Sequence, residues 1–343
     1  MYGLKQAAIL AFNNLVTNLS KAGYRPILHT LGMWEHKTRR TKFCLCVDDF
    51  GVKYFSKEDG EHLLHALQDD YTVTTDWEGK HFCGLTIDWN YAKGYVDISM
   101  PDYIRAALER FKHEFPARNQ FSPHEHTPPI FGQPGIRQYA KSPDNSARLD
   151  ANGIHLVQSI VGTFLYYTRA INSTMLTALN DISSEQATAT EHTLQKCKRL
   201  LDYAATHPAA FVRFYASDMV LHIDSDAAYL VKPKARSRVA GFFYLDNIKP
   251  RRLAHLNGAI LIECKTLRHV VASAAEAETG GIFHNAQMGI PLRYMLIALG
   301  HPQPPTPLKT DNSTANVFIH DNINLKKSKS WDMRCYWLRD RAN

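Results

Sequence analysis

Acidic side chains occur in this sequence in two groupings whose spacing fits metal-assisted chemistry. The first lies in FCLCVDDFGVKYF, residues 43–55, where Asp48 and Asp49 stand between two mostly apolar runs. Both runs read as strands buried on two faces, which places the pair close to a core. An ionised carboxylate in such a setting is costly unless a cation compensates it. Paired hard oxygens suit Mg²⁺, which takes one or two carboxylates together with phosphates. The chemistry that follows is phosphoryl transfer. The plain alternative is a solvated hairpin turn, where aspartate is common.

The second grouping is spread along the C-terminal third. Asp224 and Asp226 in LHIDSDAAY are two apart on one strand and share a face. Glu276 and Glu278 in SAAEAETGG are roughly 200° apart on a helix, so only one of them faces a sheet. Asp311 in LKTDNSTA stands where a strand ends and a helix begins, the place where sites collect in α/β sheets. One acid from a strand, one from a helix and one from a strand end is how a two-metal nuclease gathers its ligands. Taken singly, each has a plain reading too: Asp311 as a helix cap, Asp224 as a solvated strand residue, the glutamates as a solvated helix face.

These residues need elements to position them. Apolar periodicity predicts a helix over 6–22 ended by Gly23, with Ile9, Leu10, Phe12, Leu15, Val16 and Leu19 on one period. A hairpin over 43–55 follows, then a helix over 58–68 capped by Ser56. Short strands are expected near 71–75, 81–89 and 94–98, and an amphipathic helix from Tyr103 to Phe111. Prolines at 116, 123, 128, 129, 134 and 143 mark 116–150 as a linker or long surface segment. Helices resume at 154–170, 173–185 and 190–205, the last ended by Pro208. From about 211 the pattern is three strands (219–230, 236–246, 258–270), a helical run over 273–299 interrupted by Gly280-Gly281, a strand over 306–310, a helix after Ser313 and another near 328–341. That order predicts an α/β unit with mixed strand pairing.

The chain has 343 residues, long enough for two or three domains. Hydrophobic residues make up 45% and charged residues 21%, which excludes wholesale disorder. The formal net charge of +7 fits a polyanionic partner. Six cysteines, at 44, 46, 83, 197, 264 and 335, form no Cys-x-x-Cys pair. They read as free thiols in a reducing compartment rather than as a disulfide framework or zinc module. The start, MYGLKQAAIL, lacks the regions of a signal peptide, and no apolar stretch nears the ~20 residues that span a bilayer. The expectation is a soluble intracellular protein, cytoplasmic or nuclear, with no membrane partner.

Several motifs taken together resemble the Pol region of copia-type retrotransposons, a class of transposable element. Tyr2-Gly3-Leu4-Lys5-Gln6-Ala7 is similar to that family's YGLKQA signature, and Cys46-Val47-Asp48-Asp49 to its Tyr-Val-Asp-Asp box, with Cys in place of Tyr. Phe82-Cys83-Gly84-Leu85-Thr86-Ile87 resembles the stretch at the primer grip, and Val161-Gly162-Thr163-Phe164-Leu165-Tyr166-Tyr167 the VGSLxYL stretch. Ser225-Asp226-Ala227, Glu276-Ala277-Glu278 and Thr310-Asp311-Asn312 resemble three ribonuclease H acid motifs, and Lys329–Arg334 the KHIDIRYH segment. The resemblance implies an α+β multidomain chain. Residues 1–99 would be a partial reverse transcriptase palm, and 100–215 thumb or connection helices with the Pro-rich linker 116–150. Residues 216–343 would be a ribonuclease H-like domain with a mixed sheet. It implies Asp48 and Asp49 as polymerase metal ligands at the palm hairpin, Gln6 in the nucleotide pocket, and Asp226, Glu278 and Asp311 as catalytic ligands of the ribonuclease H site. Asp226 is preferred to Asp224, and Glu278 to Glu276, by motif position. The cofactor implied is Mg²⁺ in two-metal sites, with Mn²⁺ as a substitute. The partner implied is an RNA–DNA hybrid or primed template.

The same resemblance places the family's first polymerase carboxylate upstream of residue 1 and its last ribonuclease H acid beyond residue 343. The implied RNA-directed DNA polymerase and ribonuclease H is therefore expected to be a catalytically impaired fragment. A nucleic-acid-binding module without catalysis and a relic of an inserted element are the alternatives. Among remaining features, His124-Glu125-His126 reads as surface loop rather than metal pair. Lys232, Lys234, Arg236 and Arg238, and Lys326, Lys327 and Lys329, read either as phosphate-binding clusters or as solvated faces. Gly280-Gly281 reads as close helix–sheet packing, and Phe242, Phe243 and Tyr244 as core.

Overall fold

A computed structural model describes residues 6–30, 32–125, 144–248, 257–320 and 329–342. The chain is mixed α+β and divides into two compact units: residues 1–89 with 290–303, and residues 90–289 with 304–343. Among the described residues no helix is long and apolar enough to cross a membrane.

The first unit opens with helix α1 (Ala7–Lys21), closed as expected by Gly23 at φ +90°. Strands β1 (Tyr24–Pro26), β2 (Met33–His36), β3 (Lys42–Cys46) and β4 (Asp49–Lys53) form an antiparallel sheet in that order. Helix α2 (Lys57–Gln68) follows, and the Ser56 hydroxyl accepts from Asp59 N–H at 3.3 Å as its cap. The core joins Leu19 of α1, Tyr24, Trp34 and Phe43 of the sheet, and Leu63 and Leu67 of α2. Trp34 and Phe43 stack with centroids 5.6 Å apart.

This arrangement corrects three expectations. The strands flanking Asp48-Asp49 are not buried on two faces: within β3 only Phe43 is buried, and β4 has no buried residue. Helix packing covers the Phe43 side, and β4 ends the hydrogen-bonded order, so the acidic turn projects from an edge. Residues 71–75 form no strand. Val73 packs on the core, and the Asp76 carboxylate gathers the N–H groups of Glu78, Lys80 and His81, which organises a loop instead. The apolar face of α1 is only partly used: Leu19 is buried, whereas Ile9 and Leu10 are 61% and 65% exposed. Strands β5 (His81–Phe82) and β6 (Leu85–Asn90) make an antiparallel hairpin in the region 81–89.

The second unit begins with β7 (Tyr95–Ser99) and helix α3 (Tyr103–Arg110). Helices α4 (Ala151–Ala170), α5 (Leu176–Glu185, preceded by a 3₁₀ turn Ser173–Met175) and α6 (Glu191–Thr206) pack through Val157, Ile160, Phe164, Leu179, Ile182 and Leu200. Strand β8 (Phe211–Tyr215) pairs antiparallel with β7. It was not expected from the sequence, where only a change of unit near 211 was legible.

Strands β9 (Val220–Lys232), β10 (Arg236–Asp246), β11 (Ala259–Thr266) and β12 (Leu308–Lys309) form a mixed sheet ordered β11-β10-β9-β12. Only β12 runs parallel to its neighbour. Helix α7 (Ala274–Ala298), which belongs to this unit up to Gly289, lies over one face. Its Asn285 amide donates to Ser225 Oγ at 2.9 Å and to the Ala240 carbonyl at 2.8 Å. Gly280-Gly281 does not interrupt the helix. A Cβ at Gly281 would meet Val239 Cγ1 at 3.3 Å, the close packing expected there. Helix α5 lies over the other face, where Asn180 donates to the Cys264 carbonyl at 3.1 Å. Helices α8 (Ser313–His320) and α9 (Lys329–Ala342) finish the chain, with Ala315 and Leu338 packed on Ile282 of α7. Phe243 and Tyr244 are core residues, as expected, while Phe242 is half-buried.

Candidate functional site

The long central strand β9 carries Asp226 near its middle, opposite Ala240 of β10. Its parallel neighbour β12 spans only Leu308 and Lys309, in register with Ile223 and Asp224. The chain therefore leaves the sheet just before it would pass Asp226, and Asp311 sits in that exit. Asn312, not Asp311, caps α8: its Oδ1 accepts from Ala315 N–H at 2.9 Å. Asp311 is thus relieved of the capping role. From the first turns of α7, Glu278 enters the same place, 5% exposed.

Carboxylate oxygens of Asp226, Glu278 and Asp311 all lie within 4.8 Å of one another, with Glu278 buried and the two aspartates exposed. The Ala227 N–H donates to Glu278 Oε1 at 3.2 Å. Glu278 Oε2 is buried and has no hydrogen-bond partner. Burial above all, against the Ala227 hydrogen bond and helped by the nearby charges of Asp226 and Asp311, pushes the Glu278 carboxyl up to about 7. A bond with the Thr310 side chain acts in the lowering direction. Three carboxylates crowded together, one with an orphaned buried oxygen, are an all-oxygen donor set lacking positive charge. A hard divalent cation fits that set.

The partners left out resolve the two ambiguous pairs. Glu276 turns back to the helix start, where its carboxylate accepts from Ala272 N–H while the Ser273 hydroxyl accepts from Glu276 N–H. Asp224 lies beside Lys309, whose ammonium is 3.9 Å away and also donates to Tyr244 Oη at 3.0 Å. Thr310 is the site residue sequence reasoning missed. A hydroxyl before an acid carries no periodic signal that would mark it.

Lys232 and Arg238 are not a phosphate-binding surface. Lys232 is 4% exposed, and both cations donate to Asp181 of α5. Burial alone would raise the Asp181 carboxyl, but Arg238 and Lys232 together hold it below its ordinary value. Lys232 is instead lowered, because its burial, with Arg238 beside it, outweighs the pull of Asp181. Two of the four basic residues over 232–238 therefore clamp α5 to the sheet. Asp226 also borders a cavity of about 240 Å³ shared with Arg238, Glu263 and Cys264. A larger cavity of about 590 Å³, lined by residues including Arg169, Asn172, Phe211 and Arg213, does not include the three acids.

In the first unit Asp48 and Asp49 occupy a different setting. Cys46 pairs with Asp49 across the end of the β3–β4 hairpin, leaving Val47 and Asp48 as the turn. Val47 is 91% exposed with φ +59°, an uncommon conformation for a β-branched residue. Both aspartates are exposed. Asp49 Oδ2 accepts from Cys83 N–H at 3.1 Å. Among the described residues no third metal-ligating side chain gathers with the pair. Gln6 is exposed at the start of α1 and makes no side-chain capping bond. His126, Lys326 and Lys327 lie outside the described residues, as does the side chain of Lys329, while His124 and Glu125 are exposed. Compared with models of known protein families the chain matches none, and it matches no curated protein.

Proposed function

We propose that the second unit carries a ribonuclease H-type centre acting on the RNA strand of an RNA–DNA hybrid, within a chain of copia-type Pol character whose first unit corresponds to a polymerase palm. The observation that carries this reading is the meeting of Asp226, Glu278 and Asp311 within 4.8 Å from a strand, a helix and a strand end. The element order β9-β10-β11-α7-β12, with one parallel pairing at the strand that delivers Asp311, supports it.

Asp226, Glu278 and Asp311 would hold Mg²⁺, or Mn²⁺ in its place. When bound, such an ion supplies an acidified water and neutralises charge at the scissile phosphate. The chain's own residues hold the ligands ready. Ala227 N–H fixes one oxygen of Glu278, so the orphaned second oxygen keeps one direction. Asn312 caps α8 and leaves Asp311 to the site. The reading for Asp48 and Asp49 is the weaker part of the proposal, since it rests on the motif and on their turn alone.

The test is calorimetric titration of the purified chain with Mn²⁺, joined to cleavage of an RNA–DNA hybrid with a labelled RNA strand. Ion binding that D226N, E278Q and D311N each abolish is the expected result, with cutting that is weak, chelator-sensitive and confined to the RNA strand. Undiminished cutting in the triple variant, or no ion bound by the wild-type chain, overturns the reading.

A further inference from the structure

The cavity of about 590 Å³ lies wholly within the second unit and has no task in the acidic centre. Pockets that hold small ligands run from about 300 to 1,000 Å³. Its lining comes from three places: Arg169 and Ser173 at the passage from α4 to α5, Phe211 and Arg213 of β8, and Phe242 and Ile262 of the mixed sheet. The β8 side is held firmly. Gly258 N–H donates to the Arg213 carbonyl at 2.9 Å. The buried Asn257 side chain accepts from Tyr215 N–H at 2.7 Å and donates to the carbonyls of Tyr215 at 3.1 Å and Leu245 at 2.7 Å. A Cβ at Gly258 would meet the Arg213 carbonyl oxygen at 2.9 Å, so this close approach needs glycine.

The lining holds two arginines and no acid. Arg213 is already neutralised: its guanidinium donates twice to the Asp97 carboxylate, at 2.7 Å each, and stacks 3.8 Å over the Tyr95 ring. It also lies 5.5 Å from the Phe211 centroid, which keeps that ring in place. Arg169 is exposed and, among the described residues, has no hydrogen-bond or ion-pair partner. The Ser173 hydroxyl likewise makes no hydrogen bond among them. Phe211 is 60% exposed. An unopposed guanidinium, a spare hydroxyl and an open aromatic ring suit a ligand that joins an anion to a flat ring. Guanidinium matches phosphate with two parallel donors, and bases stack on aromatic side chains. The position narrows the class further. Ser173 and Ile262 also line the 240 Å³ cavity that Asp226 borders, so the two spaces adjoin. Ala240 stands opposite Asp226, and Phe242 follows two residues along on the same face of β10.

We propose that this cavity is a nucleotide subsite. Arg169 holds a phosphate, the Ser173 hydroxyl donates to the same group, and Phe211 stacks on the base. The shared chemistry is one nucleotide, either free or as part of a single strand. That such a strand continues to Asp226 rests on the ribonuclease H-type reading; the subsite itself rests on its own lining.

The experiment titrates the full chain, with chelator present, against fluorescently labelled adenosine monophosphate and against a labelled short oligothymidine strand, reading anisotropy. R169Q should weaken binding about tenfold and lower the salt slope of oligonucleotide binding by about 0.7. F211A should weaken binding about tenfold, and F211W should restore it. D226N should bind like the wild type. Binding of either probe with these losses supports the proposal: a free nucleotide is the ligand where the mononucleotide binds, a strand where only the oligonucleotide does. No binding of either probe, binding that R169Q or F211A leaves intact, or a loss in D226N equal to that in R169Q overturns it. Arg169 and Phe211 are both exposed, so their replacement leaves the core untouched. Because the chelator removes any metal, nucleotide binding that persists where hybrid cleavage fails refutes the ribonuclease H-type reading and supports the subsite.

Discussion

The two acidic groupings look alike in sequence and differ in structure. Asp48 and Asp49 are neighbours in the chain, yet both stay exposed where the β3–β4 hairpin turns at a sheet edge, Asp48 in the turn and Asp49 as the first residue of β4. Asp226, Glu278 and Asp311 are separated by 51 and 32 positions, yet their carboxylates meet within 4.8 Å around a buried glutamate. Proximity along the chain therefore says little about charge density in space. What creates the demand for a cation is burial, because only a desolvated carboxylate lacks water to stabilise its charge. Asp49 has solvent and the Cys83 N–H. Glu278 has one N–H for one oxygen, a bond with the Thr310 side chain, and an oxygen left with no hydrogen-bond partner.

The sharpest way to break this contrast is ion binding. E278Q should weaken Mn²⁺ affinity by roughly 100-fold or more, because it removes a primary ligand where even supporting groups are worth 10–100-fold. D48N should leave that affinity unchanged. Calorimetry on both variants decides, and equal losses would erase the difference between the two regions.

The next largest effect concerns the frame of the second unit. Asp181→Ala leaves the buried Lys232 and the half-buried Arg238 without their shared acid. Unfolding in urea should show a loss of about 3–5 kcal/mol. The same measurement on Asp49→Ala, an exposed group with one backbone hydrogen bond, should show roughly 1 kcal/mol or less.

A pH scan of the ion-free chain probes Glu278 directly. Its carboxyl stands near 7 when folded and at 4.5 ordinarily. A raised folded value means the protonated form is favoured by folding. This stability is complete below pH ~4.5 and is lost as pH rises through ~7, on the order of 3 kcal/mol. Glu263, held down to about 2 because Lys265 and His284 outweigh its burial, acts in the opposite sense and only at lower pH. Urea midpoints between pH 5 and 8, with chelator present, should fall for the wild type and stay flat for E278Q.

The smallest expected change tests the helix that supports the first grouping. Ser56→Ala removes the α2 cap and should cost about 1 kcal/mol, read as a shift in the urea midpoint. It should alter neither ion affinity nor the pH slope.

Much of the second unit was legible because its elements repeat the strongest local signals. The runs 219–230, 236–246 and 258–270 are rich in apolar, strand-favouring residues, and β9, β10 and β11 fall on them within a few residues. Gly23 and Ser56 marked helix ends because their conformational and capping preferences are local. The β1 and β2 strands escaped because each is too short for a period to register, and β8 because its partner β7 lies more than a hundred positions earlier. Residues 71–75 have strand-like composition but no partner strand, and Asp76 supplies the backbone groups beyond them with a loop.

By itself the sequence determined which acids were available, which element each would occupy, and that only one of Glu276 and Glu278 would face the sheet. These follow from residue type and the fixed geometry of helix and strand. The tertiary structure alone decided that Glu276 closes the helix start, that Asn312 frees Asp311, and that Lys232 and Arg238 serve Asp181. Each depends on which distant segment arrives alongside, and burial, the quantity that sets the electrostatics, exists only once the chain has packed.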